Sequence, residues 1–140
     1  MDTRMRIARV WLAIAGVLGA SGVGLGAYAS HGLGFIADAA AREAARSTLQ
    51  LAVQQHMLHA LALVGIAALA ARWHSRALCI AGVLMVLGTV LFSGLIYLRI
   101  LAGVEALRPL VPWGGTCLIA GWLALVVAAC TARSNLNASQ

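Results

Sequence analysis

Leu51-Ala52-Val53-Gln54-Gln55-His56-Met57-Leu58-His59-Ala60-Leu61-Ala62-Leu63-Val64-Gly65-Ile66-Ala67-Ala68-Leu69-Ala70-Ala71 runs for twenty-one residues without a formal charge. That is enough to cross the hydrocarbon core of a bilayer as a helix, the conformation that satisfies its own backbone polar groups in lipid. The run opens with two amides and two imidazoles. On a helix, His56 and His59 are three residues apart and share a face with Ala52, Gln55, Ala62 and Leu63, while Met57 points elsewhere. Polar groups at such a depth are costly, so they face protein or water and often mark function.

The rest of the chain has the same character. Of 140 residues, 62% are hydrophobic and 10% charged, with a mean hydropathy of +0.92. A water-soluble domain of that composition would lack polar surface. Three further apolar runs, at about 10–30, 77–101 and 113–132, complete the expectation of an all-α membrane protein. The predicted architecture is a single integral membrane domain over 1–140, a bundle of four transmembrane helices with short loops. The small-residue triplet Ala27-Tyr28-Ala29 resembles a signal-peptide cleavage site, but the run before it is longer than the usual apolar region of about 7–15 residues. The run is therefore read as the first helix, retained.

Between the first two helices, residues 37–50 carry Asp38, Arg42, Glu43 and Arg46. The spacing predicts an interfacial helix capped by Asp38, with pairs Asp38–Arg42 and Glu43–Arg46, bending into the second span. Four residues or so around His74 connect the second and third helices, which predicts antiparallel neighbours and a solvated His74. Gly103 ends the third helix just after Arg99, whose charge suits the helix C-terminus. The polar tail from Ser134 is expected to fray.

The formal charge is +6, and all ten basic residues are arginines at the ends of apolar runs. Anchors at the lipid headgroups are distributed this way, whereas a nucleic-acid patch would cluster on a water-exposed domain, so membrane lipids are the expected contact and nucleic acid is excluded. With the N-terminus inside, Arg4, Arg6, Arg9, Arg72, Arg76 and Arg133 fall on the cytoplasmic side and Arg42, Arg46, Arg99 and Arg108 outside. This predicts a multi-pass protein of the bacterial inner membrane with both termini cytoplasmic. Trp11 and Trp73 are then expected at the inner boundary, and Tyr28, Tyr97 and Trp113 at the outer one. The same orientation places His31, His56, His59, Gln55, Tyr28, Tyr97 and Arg99 in an outer-leaflet polar cap over a dry bundle. Cys79, Cys117 and Cys130 sit in apolar runs as small buried hydrophobes, with neither disulfide nor zinc spacing.

Helix one is rich in glycine. Ala15, Gly19, Gly22 and Gly26 recur at three- and four-residue steps, a small-residue groove that admits another helix. Gly19, Gly22 and Gly26, with Gly115 in the fourth helix, are the expected positions for packing within the bundle or against a partner.

Five stretches resemble one family. Gly26-Ala27-Tyr28-Ala29-Ser30-His31-Gly32 is similar to the Gly-Ala-Tyr/Phe-Gly-Ala-His-Gly block of the small YgdD-type membrane proteins, also catalogued as domain of unknown function 423. Further similarities lie at Gln55–Leu63, Gly88–Gly94, Pro112–Thr116 and Gly121–Leu125. The chain differs in Ala29 and Ser30, where Gly and Ala are usual. Bacterial members often have Tyr-Gln at the positions of Gln55 and His56, and His56 is closer to the eukaryotic relatives. The resemblance implies a four-helix inner-membrane protein and supplies no reaction.

Three functional classes follow. An accessory or structural subunit, or an assembly factor, would bind membrane proteins or a second copy through small-residue grooves and use its histidines to tie the bundle. No Ser-His-Asp set, glycine-rich phosphate loop or intramembrane carboxylate is visible, so no catalytic residue is assigned and no cofactor is expected. Alternatively, His56 and His59 with His31 would hold a metal ion, or His31 and His59 a haem b. The third class is a small transporter or a lipid or quinone binder.

Overall fold

Ala39-Ala40-Ala41-Arg42-Glu43-Ala44-Ala45 is a run of strong helix formers, and the helix that starts there does not stop at the apolar boundary. In the computed structural model, α2 is one continuous helix, Ala39–Arg72. The interfacial segment expected at 37–50 is therefore the first part of α2 and not a separate helix. Asp38 caps it as anticipated, accepting from the Ala41 backbone N–H at 2.7 Å. The Arg42 guanidinium goes elsewhere: it donates to the Ile36 carbonyl at 3.1 Å. Arg46 and Glu43 do pair, at 3.1 Å.

The structure describes residues 3–73 and 75–137, with side chains through 132; the expectation for His74 lies outside them. Four helical segments are long and apolar enough to cross a membrane. Helix α1 spans Thr3–His31, so the basic head is helical too. The third segment is composite: α3 (Arg76–Thr89), a π-helical turn (Val90–Gly94) and α4 (Leu95–Ala102). Helix α5 covers Val111–Asn137, past the expected fraying point at Ser134. Gly103 ends α4 at φ 68°, a left-handed conformation that glycine adopts without strain.

The chain folds as two hairpins side by side. Helix α1 packs mainly on α2, and α3 with its π turn packs mainly on α5. Ser75 caps α3 through the Leu78 N–H at 3.3 Å, and the short link holds α2 and α3 antiparallel as expected. Two apolar clusters form. One, toward the arginine-rich end, centres on Trp11, Leu63, Ile66, Leu78 and Met85. The other gathers Leu33, Leu49, Ala52, Ile96 and Tyr97. The aromatics expected at the boundaries divide by burial: Trp11 and Tyr97 are buried, while Tyr28 and Trp113 are exposed. Gly82 opens a seat for Trp11: a β-carbon on Gly82 would lie 2.7 Å from the indole ring.

Candidate functional site

Between the two apolar clusters lies a layer of buried polar side chains: His56, His59, Thr89 and Ser93. Helix α2 supplies the histidines on one face, as their spacing requires. Thr89 and Ser93 come from the junction of α3 with the π turn. A π turn adds a residue to the helical circuit and re-aims the side chains beyond it, and such turns recur at functional sites. Here it directs Ser93 Oγ across the bundle, where it donates to the Ala52 carbonyl of α2 at 2.8 Å. Thr89 Oγ1 turns back onto its own helix and donates to the Met85 carbonyl at 2.8 Å.

His59 is the most constrained member. Its Nδ1 lies 2.7 Å from the Gln55 carbonyl, which only accepts, so Nδ1 carries the proton. Its Nε2 is then a bare acceptor, and the Trp122 indole of α5 donates to it at 3.2 Å, edge-on to the ring. One neutral tautomer thus satisfies both nitrogens, and His59 joins α2 to α5. His56 faces the other way. Its Nδ1 is hydrogen-bonded to the Tyr97 hydroxyl of α4 at 3.2 Å, and that hydroxyl also faces Ser93. The His56 ring lies toward the α1 backbone at Leu18, and among the described residues its buried Nε2 makes no hydrogen bond of good geometry.

The layer is not a cap at one end. His59 stands thirteen residues from Arg46 and thirteen from Arg72 on a continuous helix, about 20 Å either way at 1.5 Å per residue. Trp122 likewise stands between Arg108 and Arg133, within two residues of the midpoint. The expected cap over a dry bundle is thus a polar waist, with an apolar cluster on either side.

The other anticipated members do not join it. His31 is exposed at the end of α1. Gly22 meets Met57 and Gly26 meets Val53 across the α1–α2 interface, which puts His31 level with Thr48. From there to His59 is eleven residues, about 16 Å along the axis. Tyr28 is exposed and packs on Gly32. Arg99 pairs with Glu105 at 3.5 Å. Gln55 keeps its side chain at the edge of the layer, in a groove of about 310 Å³ beside Leu58, Phe92, Gly115, Ile119 and Trp122. Among the described residues, no three His, Cys, Asp or Glu side chains come together as a metal site would need.

The glycine expectations divide in the same way. A β-carbon on Gly22 would lie 2.5 Å from Met57 Sδ and one on Gly26 3.3 Å from Val53, so both pack inside the bundle. Gly19 meets nothing within 4 Å, and Gly115 has only Phe92 at 3.9 Å. Sequence reasoning missed two of the tightest positions, Gly114 and Gly88. A β-carbon on Gly114 would collide with the backbone N of Phe92 and come within 2.7 Å of the Leu91 carbonyl carbon. One on Gly88 would sit 2.5 Å from Leu118 Cδ2 and 3.0 Å from the Gly114 carbonyl oxygen. These glycines let α5 lie directly on the π turn. The signal available was the family resemblance itself, since the stretches at 55–63, 88–94, 112–116 and 121–125 meet at this layer.

Comparison with known proteins agrees with this architecture. The family model described as "Protein of unknown function (DUF423)" matches residues 25–115. The membrane protein YwdK of Bacillus subtilis is 36% identical over 126 residues, 86% of this chain and 96% of the relative. The inner membrane protein YgdD of Escherichia coli K12 is 31% identical over 121 residues, 86% of this chain and 89% of the relative. A membrane protein of Staphylococcus haemolyticus is 33% identical over 111 residues, 75% and 82% of the two chains. No solved structure matches the chain.

Proposed function

This chain belongs to the DUF423 family of membrane proteins, whose function is unknown, and from that premise we propose that it is an accessory subunit or assembly factor that binds other membrane helices. The observation that carries the reading is the lipid-facing side of α1. Trp11, Ala15, Gly22 and Ala29 face inward. The opposite side presents Ala13, Gly16, Ala20, Gly24 and Ala27, all exposed, and nothing comes within 4 Å of a β-carbon on Gly16 or Gly24. Gly16-x-x-x-Ala20-x-x-x-Gly24 is a small-residue row of the kind that lets two helices approach closely in lipid. On the same side of α1, below Gly16, an apolar groove of about 280 Å³ runs between Leu12 and the alanines Ala67, Ala68 and Ala71 of α2. Row and groove form one smooth surface. Helix α1 is also among the least covered spans, with 17% of its apolar window buried against 39% for α2.

Gly16→Leu with Gly24→Leu should abolish co-purification of a membrane-protein partner or second copy, leaving the monomer's melting temperature unchanged. Retention of the same bound proteins by that double variant would defeat the reading. The histidines fit it as ties of the bundle: His59 has both nitrogens occupied, and a haem ligated by His31 and His59 would have to bridge about 16 Å of helix. The arginine distribution supports an inner-membrane protein with both termini cytoplasmic. An alkaline phosphatase fused after Gln140 should then be inactive, and an active fusion would reverse the orientation.

A second reading, binding of a lipid-soluble molecule, is supported by the 310 Å³ groove beside His59. It opens toward lipid, and among the described residues the Gln55 amide at its wall has no hydrogen-bond partner. A small molecule that stays with the native chain and is lost from Leu58→Trp would favour this reading; identical bound lipids in both would remove it.

A further inference from the structure

The end of the bundle opposite His31 has a second cleft that the docking surface does not use. It lies between α1 and α3, has a volume of about 290 Å³, and is lined by Arg6, Ile7, Val10, Trp11 and Cys79. One side of it is apolar. Its polar lining includes only donors among the charged and aromatic groups: the Arg6 guanidinium and the Trp11 indole. Among the described residues neither has a hydrogen-bonding or ionic partner. Trp11 is 8% exposed, held in place against Gly82.

Among the described residues the charges at this end are basic: Arg4, Arg9, Arg72 and Arg76 stand at the same end as Arg6, whereas Asp38, Glu43 and Glu105 lie at the other end of the spans. A guanidinium offers a planar fork of N–H donors that matches phosphate oxygens, and it accepts nothing. Basic pockets between membrane helices hold anionic headgroups on the same physical grounds. We propose that this cleft is a binding site for an anionic phospholipid, with the phosphate at Arg6 and one acyl chain laid along Val10 and Trp11 to Cys79. The local field selects a net negative lipid over a zwitterionic one, since both carry phosphate but only the former gains from the neighbouring arginines. The cleft adds what a headgroup collar lacks, a fixed seat for the chain.

The test is native mass spectrometry of the full chain in detergent, titrated with phosphatidylglycerol or with phosphatidylcholine of the same acyl chains. One phosphatidylglycerol should be retained per chain about fivefold better than phosphatidylcholine. Arg6→Gln should remove that preference, and Arg99→Gln, at the far end, should leave it intact. Val10→Trp fills the apolar wall without touching the charge and should lower retention of both lipids. Inorganic phosphate at matched concentration should displace neither. Arg6 is exposed, so Arg6→Gln decides the matter even if Val10→Trp perturbs packing. Equal retention of the two lipids by the native chain, or undiminished phosphatidylglycerol retention by Arg6→Gln, overturns the proposal.

Discussion

Gly114→Ala is expected to destabilise the bundle by about 2–3 kcal/mol, the range for forcing a methyl group into filled space, while Gly115→Ala, one residue on, changes little. Both glycines lie in the first turns of α5, in the same sequence context and with the same helix-propensity gain on substitution. Only their surroundings differ. A β-carbon on Gly114 meets the backbone of Leu91 and Phe92, which no rotamer change can move, whereas one on Gly115 finds Phe92 Cδ2 at an ordinary 3.9 Å. To admit the methyl, α5 must retreat from the π turn, and the Trp122–His59 bond must lengthen with it. Unfolding in mixed detergent micelles, followed by circular dichroism, reads the difference. Equal stability of the two variants would mean that α5 does not lie on the π turn.

His59→Ala should cost about 2–3 kcal/mol, from a truncation cavity together with a Trp122 N–H left without its acceptor. His31→Ala, at an exposed helix end, should cost close to nothing by the same assay. The bond itself is isolated by combining His59→Ala with Trp122→Phe. Interhelical hydrogen bonds in lipid average roughly 0.6 kcal/mol and reach about 1.7, and the coupling here should fall in the upper half of that range because the imidazole has no alternative partner. A coupling of zero would separate His59 from Trp122. An equal cost for His31→Ala would bring that residue back into the layer.

The four spans are legible because a chain crossing lipid must hide its backbone and exclude charge for about twenty residues, and those demands leave long marks. The Asp38 cap, the Glu43–Arg46 pair and the stop at Gly103 are legible for local reasons. Harder to see is the continuity of α2. The charges at 42–46 read as a break, although Ala39–Ala45 is as good a helix start as any in the chain. That one misreading puts His56 and His59 at the opening of a helix, because it counts from Leu51, whereas α2 begins at Ala39 and carries them in its interior.

The π turn leaves no local signature at all. Its Val90-Leu91-Phe92-Ser93-Gly94 is an ordinary apolar stretch, and its geometry is set by packing partners twenty and more residues away, Gly114 foremost. The glycine row is visible in the sequence, but its open side is not: Gly22 and Gly26 follow the inward stripe, and the open row is Gly16, Ala20 and Gly24. Which side of a helix faces lipid depends on its neighbours, and hydrophobicity cannot report it when both sides are apolar. Pairing of His56 with Tyr97, by contrast, is within reach, since two buried polar side chains at similar depth must find each other or water.

The proposed function rests on that distribution of polar and smooth surfaces: the polar waist holds helices together, and the open small-residue face of α1 is the side proposed to meet a partner. The decisive measurement is photocrosslinking in intact cells from an aryl-azide or diazirine residue placed at Ala20, compared with the same probe at Leu58 beside the His59 groove. A docking face on α1 should give a discrete protein adduct from Ala20, either a second copy or another membrane protein, and lipid adducts alone from Leu58. Lipid adducts alone from Ala20 would rule that face out.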